Sequence, residues 1–307
     1  MYDQVTSNTR RSILLIAGFV VLVVAVVAAF DFVLGGGWVG VAIAVPLAAG
    51  SAFLSYWKSD SIALAMSRAR PADEVQYARL HNLVEGLCIA SGLPKPRVYV
   101  IDDPAPNAFA TGRNPQHAAI AVTTGLLEKM NRVELEGVVA HELSHIKNYD
   151  ILVSTLAVTM VGVVAILADI GVRMLWWGGG RRRYADNDNH GGGGLALLLI
   201  PAILLLILSP IIARVMQAAV GRRREALADM SGVEMTRYPP GLISALEKLR
   251  DDSTVVHAHS RATAHLWIEE PSPVDESEGK VGFLNKVNSL FATHPPIEER
   301  IAALREL

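Results

Sequence analysis

Residues 133–150 read VELEGVVAHELSHIKNYD. Asn131, with Glu134 three residues on, is a capping-box pattern, so a helix is expected to open here and carry the whole run. Residues four apart on a helix lie one above the other on the same face. His141 and His145 can therefore offer two imidazole nitrogens to one metal ion, with Glu142 beside them to take a proton from an attacking water. A structural zinc site needs no such base, which argues against a non-catalytic zinc-holding scaffold or sensor. A catalytic zinc needs a third protein ligand besides its water. On spacing, Glu225 is the leading candidate, because Asp229 four residues later shares its helical face. One carboxylate could bind metal while the other holds the outer nitrogen of a ligating histidine. His257, His259 and His265 compete for the same place, and all three fall in a stretch without clear periodicity.

The rest of the chain narrows the class. Of 307 residues, 51% are hydrophobic and only 19% charged, and the mean hydropathy is +0.33. A net charge of −2, with no basic stripe among aromatics, excludes a nucleic-acid partner. The single cysteine, Cys88, rules out an intramolecular disulfide and a zinc-binding cysteine cluster, and its apolar setting suggests a small buried hydrophobe.

Four apolar stretches are long enough to be read as membrane spans: 12–30, the stretch ending near Tyr56-Trp57-Lys58, 151–172, and 195–212. A transporter would want ionisable groups at mid-depth in these spans, and they supply none. Between the second and third spans, residues 58–150 read as soluble. Pro71 is expected to open a helix that stops near Ser91-Gly92. Arg97–Ile101 and residues 117–122 have strand composition, and DDPAPNAFATG between them reads as a loop. Strand 117–122, just ahead of the zinc helix, could take an extended peptide as an added strand. Residues 178–194 form a glycine-flanked polar loop. A helix carries Glu225, another begins after Pro239-Pro240-Gly241, and Pro295-Pro296 opens a last one. The domain division is thus 1–57, a membrane hairpin; 58–150, the first part of the catalytic domain; 151–220, a second membrane hairpin; and 221–307, the remainder of the catalytic domain.

HELSHIKNYD, a following hydrophobic hairpin, RRREALAD and THPPIEERIAAL together resemble the HtpX family of membrane zinc endopeptidases, in the superfamily of the CAAX prenyl-protein endopeptidases. The resemblance extends over nearly the whole chain and includes the NAFATG loop. It implies a zincin-type catalytic domain, mainly α with a small β-sheet, on a multi-span α-helical membrane protein. It also implies one zinc ion per chain, held by His141, His145 and Glu225, with Asp229 steadying a ligating histidine. By the same resemblance Asn107 contacts the substrate backbone, and His294 faces the site and stabilises the oxyanion. The implied activity is cleavage of membrane or membrane-proximal proteins, misfolded ones among them, in quality control and stress response. Maturation of lipidated or secreted peptides is the alternative. The partners are a peptide or protein substrate and the lipid bilayer, with a homo-oligomer left open. Arg10 and Arg11 before the first span, and Lys58, Arg68 and Arg70 after the second, place the site on the cytoplasmic side of the cell inner membrane. Arg181, Arg182 and Arg183 in the hairpin loop run against that bias.

Overall fold

The computed structural model describes residues 38–155, 222–252, 254, 267–268 and 295–307, with scattered positions between 10 and 24. The first, third and fourth apolar stretches, the 178–194 loop, His257, His259, His265 and His294 lie wholly or largely outside these residues. Helix α1, Trp38–Met66, contains the second apolar stretch and runs on past Lys58 and Asp60. Among the described residues no helix is long and apolar enough to cross a membrane.

A small mixed sheet and a set of helices make up the described structure. The strands are β1 (Arg70–Pro71), β2 (Arg97–Ile101), β3 (Ala108–Gly112) and β4 (Ala118–Thr123), in the order β1-β2-β4-β3. β2 and β4 are parallel, and the outer strands are antiparallel to their neighbours. The helices after α1 are α2 (Ala78–Ser91), α3 (Thr124–Lys129), α4 (Arg132–Lys147), α5 (Arg222–Thr236), α6 (Pro239–Asp251) and α7 (Ile297–Arg305).

Strand alternation sorts the side chains into two cores. Val98, Val100, Ala110, Ile120 and Val122 face α2 and α4, joining Leu135, Val138, Leu143 and Ile146 of α4 with Leu242 and Leu246 of α6. Phe109, Ala119, Ala121 and Ile101 face the other way, against Ala63 and Leu64 of α1 and against Trp267. Every residue of β3 and β4 is buried.

Three local expectations change. Pro71 lies in an edge strand, where its missing N–H costs no ladder bond, and the helix begins only at Ala78. Between them Asp73 Oδ1 accepts from the N–H groups of Val75 and Gln76, at 2.9 and 2.8 Å, closing a turn. The NAFATG stretch is a strand in its last five residues, because ladder pairing with β4 outweighs its small-residue composition. As a result, β4 is an interior strand, paired on both sides, and cannot accept an added peptide. The strand at the sheet's edge on that side is β3.

Candidate metal centre

Helix α4 begins as its capping box dictates. Asn131 Oδ1 accepts from Val133 and Glu134 N–H at 2.9 and 3.0 Å, and Glu134 Oε2 accepts from Asn131 N–H at 2.8 Å. Such a cap contributes about 1 kcal/mol and fixes where the helix starts, and so which face its later residues present. That face holds His141, fully buried, with Glu142 and Ser144 buried beside it. His145 stacks below His141, the two rings perpendicular with centroids 4.8 Å apart.

Helix α5 crosses α4 at His141. A side chain at Gly232 would bring its Cβ to 3.0 Å from His141 N and 3.2 Å from His141 Cα, so any other residue would push the two backbones apart by some tenths of an ångström. One and two turns before Gly232, Asp229 and Glu225 reach the histidines. Both are buried, at 4% and 2% exposure, although carboxylates are seldom so enclosed without a charged partner.

The donor atoms fit a metal. His141 Nε2 and His145 Nε2 are 3.2 Å apart, and each is 3.6 Å from a different oxygen of Glu225. For tetrahedral ligation with bonds of about 2.0–2.2 Å, ligand atoms lie about 3.3–3.6 Å from one another. Behind each imidazole stands a carboxylate on the outer nitrogen. Asp229 Oδ1 is 2.9 Å from His141 Nδ1, and Asp150 Oδ2 is 3.4 Å from His145 Nδ1. This arrangement leaves Nε2 of each ring as the inward-facing nitrogen. Tyr149, at φ 60°, turns the chain after α4 just ahead of Asp150.

Electrostatics point the same way. Glu142, Asp150, Glu225 and Asp229 are all buried around the two histidines, and Arg300 is a buried cation facing them. Burial opposes a charge on His141, but hydrogen bonds to Asp229 and Glu225 overcome it and raise its pKa to about 9. His145 is also raised, its burial outweighed by the charge of Glu225 and the bond to Asp150. Burial would raise Asp229, but Arg300 and His141 pull it down to about 2, so it stays anionic. Excess negative charge around two imidazoles suits a divalent cation. Cys88 takes no part: burial pushes its thiol up to about 11, which leaves it a small buried hydrophobe.

Of the residues singled out from sequence, His141, His145, Glu225 and Asp229 come together, with Glu142 beside them on α4. Asn107 precedes the edge strand. Its Oδ1 accepts from Ala108 N–H at 3.0 Å, and its backbone is tied to Thr123. The sequence reading missed Asp150, Gly232 and Arg300. Asp150 closes the stretch quoted at the outset. The other two carried no signal of their own, since each acts through a contact between helices distant in sequence.

Known proteins resemble this chain over most of its length. Residues 74–307 match the family described as "Peptidase family M48". Proteins named "Protease HtpX homolog" from Streptococcus uberis and from Caldanaerobacter subterraneus subsp. tengcongensis are each 42% identical to this chain. The alignments cover 100% of this chain and 100% and 98% of those proteins, respectively. The solved structure of S. mikatae Ste24p aligns with 99% of this chain and 67% of its own, at 18% identity and a TM-score of 0.49. With a family match over most of its length and full-length relatives, the chain belongs to peptidase family M48 and is a metalloprotease, an enzyme that hydrolyses peptide bonds.

Proposed function

We propose that this chain is a membrane-anchored zinc endopeptidase that cuts membrane or membrane-proximal proteins, misfolded ones among them. The observation that carries the reading is two imidazole nitrogens 3.2 Å apart, each 3.6 Å from an oxygen of the Glu225 carboxylate, next to a buried glutamate on the same helix. His141, His145 and Glu225 are the residues that would hold the ion. Zinc, when bound, supplies a Lewis acid that polarises the scissile carbonyl and acidifies a water. Glu142 takes the proton of the attacking water and passes it to the leaving amine, a transfer typically contributing 10²–10⁴ in rate. His294 donates to the negative charge developing on the carbonyl oxygen, a contribution of roughly 10²–10³. Asn107, just ahead of β3, contacts the substrate backbone.

The apolar stretches at 12–30, 38–57, 151–172 and 195–212 support anchoring by four spans. The lysine and arginine bias around the first two supports a cytoplasmic site. His145 lies six residues before Ile151, at most about 20 Å of chain, so substrates beside the bilayer are within reach. The test is cleavage of an unfolded membrane protein by purified zinc-loaded protein, with Glu142→Gln as control. The variant should lose cleavage by at least ~10² while keeping its zinc. Cleavage at the wild-type rate by Glu142→Gln would remove the general-base assignment.

A further inference from the structure

Arg300 comes from the C-terminal helix α7, more than 150 residues after the histidines, yet it is 3% exposed and sits against them. Its guanidinium is committed on three sides. Nε donates to Asp229 Oδ2 at 2.9 Å and Nη2 to Asp229 Oδ1 at 2.7 Å, a two-pronged grip on one carboxylate. Nη1 donates to the backbone carbonyl of Ile268 at 3.3 Å. Nη2 lies 3.5 Å from both ring nitrogens of His141. A nitrogen equidistant from both cannot lie along either lone pair, so it rests against the ring and is not a hydrogen-bond partner in its plane.

The oxygen that Nη2 grips, Asp229 Oδ1, is the one 2.9 Å from His141 Nδ1. A carboxylate held by that single bond could turn about its own χ2, a broad and soft torsion, and the imidazole could turn with it. The two-pronged grip fixes the plane of the carboxylate, and that fixes the ring. Ile268 fixes the grip in turn, since its N–H donates to Ala108 O of the edge strand at 3.0 Å while its carbonyl takes Nη1. A chain of contacts thus runs from β3 through Ile268, Arg300 and Asp229 to a metal-binding nitrogen.

We infer that Arg300 is a positioning residue for the metal centre, acting through Asp229 to hold His141 Nε2 toward the ion. The inference rests on the metal-site reading above. A lysine keeps the charge but lacks the planar fork, so Arg300→Lys separates orientation from charge balance.

The experiment measures zinc affinity by chelator competition, the visible absorption of the Co²⁺-loaded protein, and thermal unfolding of the metal-free protein. Arg300→Lys should lose zinc affinity by roughly 10–100-fold, the range typical when a ligand's outer support is removed, with an altered Co²⁺ spectrum. Adding Asp229→Asn to it should cost little more, because both changes break one chain of contacts. Wild-type zinc affinity in Arg300→Lys, or losses that simply add, would overturn the inference and leave Arg300 a structural ion pair. Should Arg300→Lys not fold, Arg300→Gln with Asp229→Asn removes both charges together. Its zinc affinity should equal that of Asp229→Asn alone, and a further loss would overturn the inference. A Glu225→Ala protein that kept full zinc affinity would instead show that the metal-site reading itself had failed.

Discussion

Helix α4 carries buried acid at each end, and the two sites are built differently. At its start Glu134, 3% exposed, is matched partner for partner: Lys248 Nζ at 2.7 Å, Ser244 Oγ at 2.7 Å and Asn131 N–H at 2.8 Å. At its end Glu142, Asp150, Glu225 and Asp229 share the interior with two imidazoles and the guanidinium of Arg300. The first cluster is balanced and satisfied, which is what burial of an ion demands if nothing further is to bind. The second gathers four carboxylates and turns two imidazole nitrogens and the Glu225 carboxylate toward one another, an arrangement whose cost is repaid when a cation arrives. Burial is alike at the two ends, though one carboxylate stands at the first and four at the second. Charge balance and convergence of donors tell the structural cluster from the functional one.

The sharpest way to break the contrast is to remove a donor. Glu225→Ala should lose metal and activity together, whereas the proteins of a structural cluster would only soften. Metal content after dialysis against trace zinc is the measurement, and full occupancy would dissolve the distinction between the two ends.

A subtler break acts on the helix crossing. In Gly232→Val the added side chain meets backbone at His141, 3.0–3.3 Å from its Cβ, and backbone cannot rotate away. The helices must part by some tenths of an ångström, moving Glu225 and Asp229 away from the histidines. Overpacking of this kind costs about 1–3 kcal/mol, and zinc affinity should fall along with the unfolding temperature. A stable variant with wild-type affinity would mean the close crossing is not what sets the ligand geometry.

How legible all this was in the sequence follows from the range of each interaction. The capping box, the paired histidines and the Glu225/Asp229 face are patterns within four residues, and the structure brings those side chains together as their spacing implies. Gly92, at φ 70°, ends α2 where a helix stop was read. The failures are matters of pairing between distant segments. Ala-Phe-Ala-Thr-Gly has little intrinsic strand preference, and only its ladder to β4 makes it β3. Residues 118–122 are apolar throughout, so composition alone does not say whether the strand is an edge or an interior one, and it is interior. Arg300 looks in sequence like one charge among the glutamates of α7, and only the packing of α7 against α5 shows what it grips.

The two ends should also answer pH differently. With His141 raised from its usual 6.5 to about 9, the metal-free protein gains stability from the protonated ring below pH 6.5. That contribution is lost as pH rises toward 9. Metal needs the neutral ring, so zinc uptake at pH 7 should release protons, and apparent affinity should climb by up to about tenfold per pH unit for each proton displaced. Titration calorimetry in buffers of different ionisation enthalpy measures this directly, and uptake without proton release would contradict it. Glu134 behaves oppositely. Burial works against its charge, but Lys248, Asn131 N–H and Ser244 hold it below the usual carboxylate range. Its contribution is present above pH 4.5 and fades only as pH falls through its lowered pKa.

The smallest expected effect is the one that sharpens the comparison most. Lys248→Met removes the cation from the balanced end. Glu134 would keep Ser244 and Asn131 as hydrogen-bond partners, and the Lys248 side chain is 44% exposed, so much of its attraction is already screened by water. The loss should therefore be about 1 kcal/mol, near the upper end for a partly exposed pair, and should lower the unfolding temperature by roughly 2–4 °C. Zinc affinity and cleavage should not change, because Glu134 lies two helical turns from His141, about 10 Å along α4. If instead the variant bound zinc more weakly, the two ends of α4 would be one coupled network, and charge balance alone would no longer mark where structure stops and chemistry begins.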